Sequence, residues 1–132
     1  MIKKYLQFIT ESFFNLKNEF GISHEELGEI LTYITDEFPK LEYWVENSLQ
    51  SSLIKPDKNC FVIILNEKDK EYPLSIHWVE PKIFELVKDV DSHLRAFGLY
   101  VCANDFSESD AYYEIVVSKI GHTPQNGYYP RV

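Results

Sequence analysis

The chain has 132 residues, 45% of them hydrophobic and 15% aromatic, and a formal net charge of −8. That length predicts one domain with a buried core, and the aromatic content excludes a disordered chain. Thirteen Lys and Arg against 21 Asp and Glu disfavour direct nucleic-acid binding and docking on an anionic membrane.

Residues 2–20 read as an amphipathic helix, with Ile2, Leu6, Ile9, Phe13, Leu16 and Phe20 at spacings of three and four. Gly21 stops it as a C′ glycine would. Ser23 and Glu26 then form a capping box, flanked by Ile22 and Leu27 as a hydrophobic staple. Leu27, Ile30, Leu31, Ile34 and Phe38 carry the apolar stripe of a second helix, which Pro39 ends. The short link predicts an antiparallel helical hairpin over 2–38.

Residues 41–46 fit either a strand or a helix, and Tyr43, Trp44 and Val45 favour the strand. Ser48 to Asn59 is a polar connection. Cys60–Leu65 is a continuous apolar run and predicts a central strand covered on both faces. Tyr72–Val79 alternates and predicts a hairpin partner for it. Pro81 opens a third helix, with Ile83, Val87, Val90, Leu94 and Phe97 as its stripe and Gly98 as its stop. Leu99–Ala103 and Tyr112–Ser118 are two further strands, linked by Asn104–Asp110.

The order α-α-β-β-β-α-β-β implies an α+β fold. It has an N-terminal α-hairpin, a mostly antiparallel sheet of four to five strands, and one further helix packed on the sheet. The third helix is expected on one face of the sheet and the hairpin over part of the other. Residues 1–120 form the single domain, and 121–132 form an aromatic, Pro/Gly-containing tail ending Tyr128-Tyr129-Pro130-Arg131. The opening residues do not read as a signal peptide, and no apolar run is long enough to span a membrane.

The acidic residues are unevenly placed. Glu19, Glu25, Glu26, Glu29, Asp36, Glu37, Glu42 and Glu46 face only Lys40, so this stretch carries −7 of the −8. A charge run on a helix is usually a solvated face, and early glutamates also match the helix dipole. Glu25 and Glu29, however, repel at i, i+4, and no nearby lysine neutralises them. With Tyr33 and Trp44 close in sequence, Glu25, Glu26, Glu29, Asp36 and Glu37 suit a contact surface for a protein partner with a basic surface. This reading makes the chain a non-enzymatic binding module, in sharper form an inhibitor or modulator. Homo-oligomerisation through exposed aromatics is a third reading.

The enzyme alternative rests on one sheet face. His77, Cys102, Tyr112 and Glu114 converge there if the strand registers coincide, and Cys, His and a carboxyl group are the minimum for a thiolate nucleophile. The simpler reading is an ordinary half-exposed sheet face. Cys60 and Cys102 are expected as reduced, buried thiols, and no Cys/His spacing suggests zinc. Asp105, Glu108 and Asp110 lie in a loop that lacks the EF-hand pattern, so no metal or other cofactor is expected. His24 and His93 read as helix-surface residues, and no phosphate-loop, nucleophile-elbow or zincin motif occurs.

The opening Met1-Ile-Lys-Lys-Tyr-Leu-Gln-Phe-Ile-Thr-Glu11 resembles that of small accessory and early proteins of T4-like tailed bacteriophages. The resemblance covers these eleven residues. It implies a small protein of the bacterial host cytoplasm, of a kind that binds and modulates a host protein, and it carries over no site residue.

Overall fold

The computed structural model describes residues 15–67, 80–107 and 112–127. Its first helix, α1, spans Leu16–Phe20, and α2 spans His24–Thr35. Strand β1 is Leu41–Asn47, followed by a 3-10 turn at Ser48–Gln50, and β2 is Cys60–Glu67. Helix α3 spans Glu80–Leu94, and β3 and β4 span Leu99–Phe106 and Tyr113–Lys119. The fold is α+β with a four-stranded antiparallel sheet in the order β1-β2-β4-β3.

The predicted helix over 2–20 does not run unbroken through Asn15. There the backbone is extended (φ −92°, ψ 94°), and the side chain accepts from Asn18 N at 3.0 Å. Asn15 is thus an N-cap, and α1 starts after it. An apolar period continues across such a break, which is why periodicity alone passes over it. Residues upstream of Asn15 lie outside the described residues. Gly21 ends α1 in the left-handed region at φ 76°, its N–H reaching Lys17 O. The capping box of α2 is present in both halves, with Ser23 N to Glu26 Oε1 at 2.9 Å and Glu26 N to Ser23 Oγ at 3.0 Å. Both staple residues, Ile22 and Leu27, are fully buried.

Residues 41–46 are strand. β2 lies between β1 and β4, so both of its edges are paired. The predicted strand 72–79 lies outside the described residues, but the expectation that it is the hairpin partner of Cys60–Leu65 is overturned, since β1 and β4 take both edges of that strand. Burial on both faces of β2 follows the expectation: Cys60 through Leu65 are all buried. Phe61, Ile63 and Leu65 face a core built from α1, α2 and α3, whereas Cys60, Val62 and Ile64 face a second cluster. The division of cover therefore differs from the expected one. The N-terminal helices and α3 share one face, because α2 and α3 pack on each other as well as on the sheet. Leu53 and Ile54, folded back from the connection after β1, cover the other face.

β3 continues to Phe106, beyond the predicted Ala103, because Asn104–Phe106 pair with Ile115–Tyr113 of β4. Between Val101 and Ala103 the register shifts, leaving Cys102 on a bulge. The first tail residues join the domain: Ile54 bridges Asn126, Lys55 N reaches Gln125 O at 3.0 Å, and Gly127 N reaches Leu53 O at 2.9 Å. Tyr128 to Arg131 lie outside the described residues. Among the described residues no helix is long and apolar enough to cross a membrane.

Candidate functional sites

The apolar stripe of α2 turns its other side outward. Glu25 and Glu29 are exposed there, as are Asp36 and Glu37 just past the end of the helix. Glu26 is committed to the capping box and lies 3.5 Å from Lys17 Nζ. The Ser23 backbone N–H holds its carboxyl group below the usual range, with smaller help from the Ser23 hydroxyl and Lys17. Glu37 lies 3.8 Å from Lys82 Nζ, an exposed pair. Glu25 and Glu29 have no ion-pair partner among the described residues.

Beside Glu29 a groove of about 410 Å³ runs between α2 and the end of α3. It is lined by Glu26, Glu29, Ile30, Tyr33, His93 and Phe97, among others. Tyr33 OH is 3.0 Å from His93 Nε2, and their rings are 4.9 Å apart. His93 Nδ1 lies 2.9 Å from Asp89 O, so Nδ1–H donates to the carbonyl; in that tautomer Nε2 is the acceptor for the tyrosine hydroxyl. Of the two aromatics expected at this surface, only Tyr33 belongs to it. Trp44 alternates to the opposite side of β1 and packs against the second cluster. Phe97, from the turn after α3, takes the second aromatic place.

The expected sheet-face site is brought together in part. Cys102 and Tyr112 pack on the second cluster, and Glu114, opposite Ile64, turns to the same face. His77 lies outside the described residues. Glu114 is fully buried, and its carboxyl group accepts from Ser51 Oγ at 2.8 Å, Ser52 Oγ at 2.6 Å and Ser52 N. It anchors the connection after β1. The Cys102 thiol donates to Val116 O at 3.5 Å. Of the expected cation loop, Asp105 turns its Oδ1 to the Phe106 N–H at 2.7 Å; Glu108 and Asp110 lie outside the described residues.

A third cluster was not expected from the sequence. Asp57, Cys60 and His122 each bring one donor atom to a common place, all within 4.8 Å of one another. His122 Nε2 is 2.6 Å from Asp57 Oδ2. Each arm is held separately. Ser48, buried, accepts the Asp57 N–H at 2.7 Å and donates to Asp57 O at 2.8 Å, while Asp57 Oδ1 accepts from Asn59 N. The His122 carbonyl accepts from Tyr100 OH at 2.6 Å and from Ser118 Oγ at 3.3 Å. Burial pushes the Asp57 carboxyl up, but hydrogen bonds from His122 and the Asn59 N–H outweigh it and hold the group below the usual range. Cys60 neighbours Cys102. The Cys102 thiol beside it, then the Ser118 hydroxyl, lower the Cys60 thiol against its burial, and the neighbouring Cys60, together with burial, raises Cys102. The cluster escapes sequence reading because Asp57 and His122 are 65 residues apart.

No family model, curated protein or solved structure matches the chain.

Proposed function

We propose that this chain is a non-enzymatic protein-binding module whose α2–α3 groove receives a basic segment of a partner protein. The observation that carries the reading is Glu29, exposed and without an ion-pair partner among the described residues, at the rim of a groove floored by Ile30 and Phe97. An Arg or Lys side chain lays its methylenes on such a floor and ends on the carboxylate. Tyr33 and His93 form the wall, and Glu25 adds negative potential that steers a cationic partner. In its sharper form the module is a phage-type inhibitor or modulator of a host protein in the bacterial cytoplasm. A self-association role for the exposed aromatics is the lesser reading.

The test is affinity capture from a bacterial lysate, with wild type beside a Glu25→Lys/Glu29→Lys double variant, at low and high salt. Glu26 is left in place, since its carboxyl group serves the helix cap. A partner retained by wild type at low salt and lost in both other conditions supports the reading. A partner indifferent to charge reversal and salt, or none at all, removes it. The enzyme alternative is weaker, because the Glu114 carboxyl group already takes the Ser51 and Ser52 donors.

A further inference from the structure

The geometry points to Asp57, Cys60 and His122 as a three-donor site for a borderline-soft divalent cation, Zn²⁺ foremost. Their donor atoms lie within 4.8 Å of one another. In a tetrahedral zinc centre, metal–ligand bonds of about 2.0–2.3 Å set neighbouring donors about 3.3–3.8 Å apart. Small side-chain movements reach that spacing.

Two other readings of the same trio fit less well. In a Cys–His–Asp nucleophilic triad the carboxylate and the sulfur use opposite ring nitrogens, which sets them about 6 Å or more apart. Here the carboxylate oxygen and the sulfur are both inside 4.8 Å. A plain Asp57–His122 hydrogen bond tying the tail to the domain accounts for the 2.6 Å contact. It does not account for a thiol at the same point.

The donor set selects the metal. One thiolate, one imidazole and one carboxylate make a poor site for Ca²⁺ or Mg²⁺, which take several oxygens. Sulfur and nitrogen favour Zn²⁺ or Co²⁺. Asp57 and a Cys60 thiolate together balance a divalent charge. The site is also preorganised, since Ser48 fixes the Asp57 backbone and Tyr100 fixes that of His122. A cleft of about 260 Å³, lined in part by Asp57, His122, Thr123 and Gln125, leaves room for water as a fourth ligand. On binding, the cation replaces the hydrogen between Nε2 and Oδ2, and the imidazole proton sits on Nδ1. The Cys60 thiol proton passes to water. With neutral His122, each cation releases one proton.

The experiment is a Co²⁺ titration of the reduced full chain, followed by absorbance and back-titrated with Zn²⁺. One equivalent should give a sulfur-to-cobalt charge-transfer band with tetrahedral d–d absorption, both erased by Zn²⁺. Cys60→Ser should abolish the charge-transfer band, and His122→Gln should weaken binding about 100-fold or more. Cys102→Ser, which leaves all three donors in place, should keep the charge-transfer band. Circular dichroism checks the fold of each variant. Should Cys60→Ser not fold, the decision rests on the wild-type band and on His122→Gln, whose site is half-exposed. Absence of the band in folded wild type overturns the site. So does a band that survives Cys60→Ser, binding indifferent to His122→Gln, or a band lost equally in Cys102→Ser.

Discussion

Ser52 and Glu114 are joined through both polar groups of the serine. The Ser52 N–H lies 3.2 and 3.1 Å from the two carboxyl oxygens, and its hydroxyl donates to the nearer one at 2.6 Å. Ser51 adds a hydroxyl at 2.8 Å. A buried acid on a central strand is tolerated because these donors satisfy it. Its effect is to hold the connection between β1 and β2 against the sheet, which places Leu53 and Ile54 over Val62 and Ile64.

Ser52→Ala should therefore cost about 1–3 kcal/mol, the scale of a hydrogen bond to a buried acid. Urea unfolding should show a lower midpoint with an unchanged slope. A midpoint equal to that of wild type would mean that the backbone N–H and Ser51 suffice.

Gly127 sits against the same connection. A Cβ there would lie 2.8 Å from Ser52 O and 3.0 Å from the Leu53 carbonyl carbon, and backbone cannot step aside cheaply. Gly127→Ala should loosen residues 125–127 from the domain. Hydrogen exchange should rise at the Lys55 and Gly127 amides, which bond across this contact, and stay unchanged in β2.

The start of α2 depends on Ser23. Ser23→Ala should cost about 1 kcal/mol, as for other N-caps. The reciprocal contact makes the cap pH-dependent. Glu26 has a lowered folded pKa, so its contribution is present above the unfolded value near 4.5 and is lost as pH falls through the folded one. Wild type should lose stability faster than Glu26→Gln in that acid window. Parallel curves would count against the linkage.

Tyr33→Phe should test whether the Tyr33–His93 contact shapes the groove or merely decorates it. The pair is exposed, so stability should change by less than about 1 kcal/mol. Partner affinity in the proposed groove should fall more with Tyr33→Ala, which removes the wall, than with Tyr33→Phe. Equal losses would assign the effect to the hydroxyl alone.

Local signals in the sequence translated well into structure. Ser23 and Glu26 mark a helix start, Gly21 and Gly98 mark ends, and the unbroken apolar run from Cys60 marks a strand buried on both faces. Each works through residues within four positions or through simple burial. The readings that changed depended on distance along the chain. Nothing near Cys60 says that β4 will lie beside it, and a one-residue alternation decides that Trp44 leaves the helical face. Asn15 is a local signal hidden by an apolar period that runs past it. The Asp57–Cys60–His122 cluster has no period or spacing at all, because it joins a loop, a strand end and a turn.

The strand order has a kinetic consequence. β2 gains β1 from the residues just before it, but its other edge waits for β4, the last strand described. While the chain emerges from the ribosome, a Val- and Ile-rich strand keeps one row of amides and carbonyls unpaired until Tyr113–Lys119 is made. Nascent chains stopped short of that strand should be the form that recruits chaperones or aggregates, and completion of the domain should come late and abruptly.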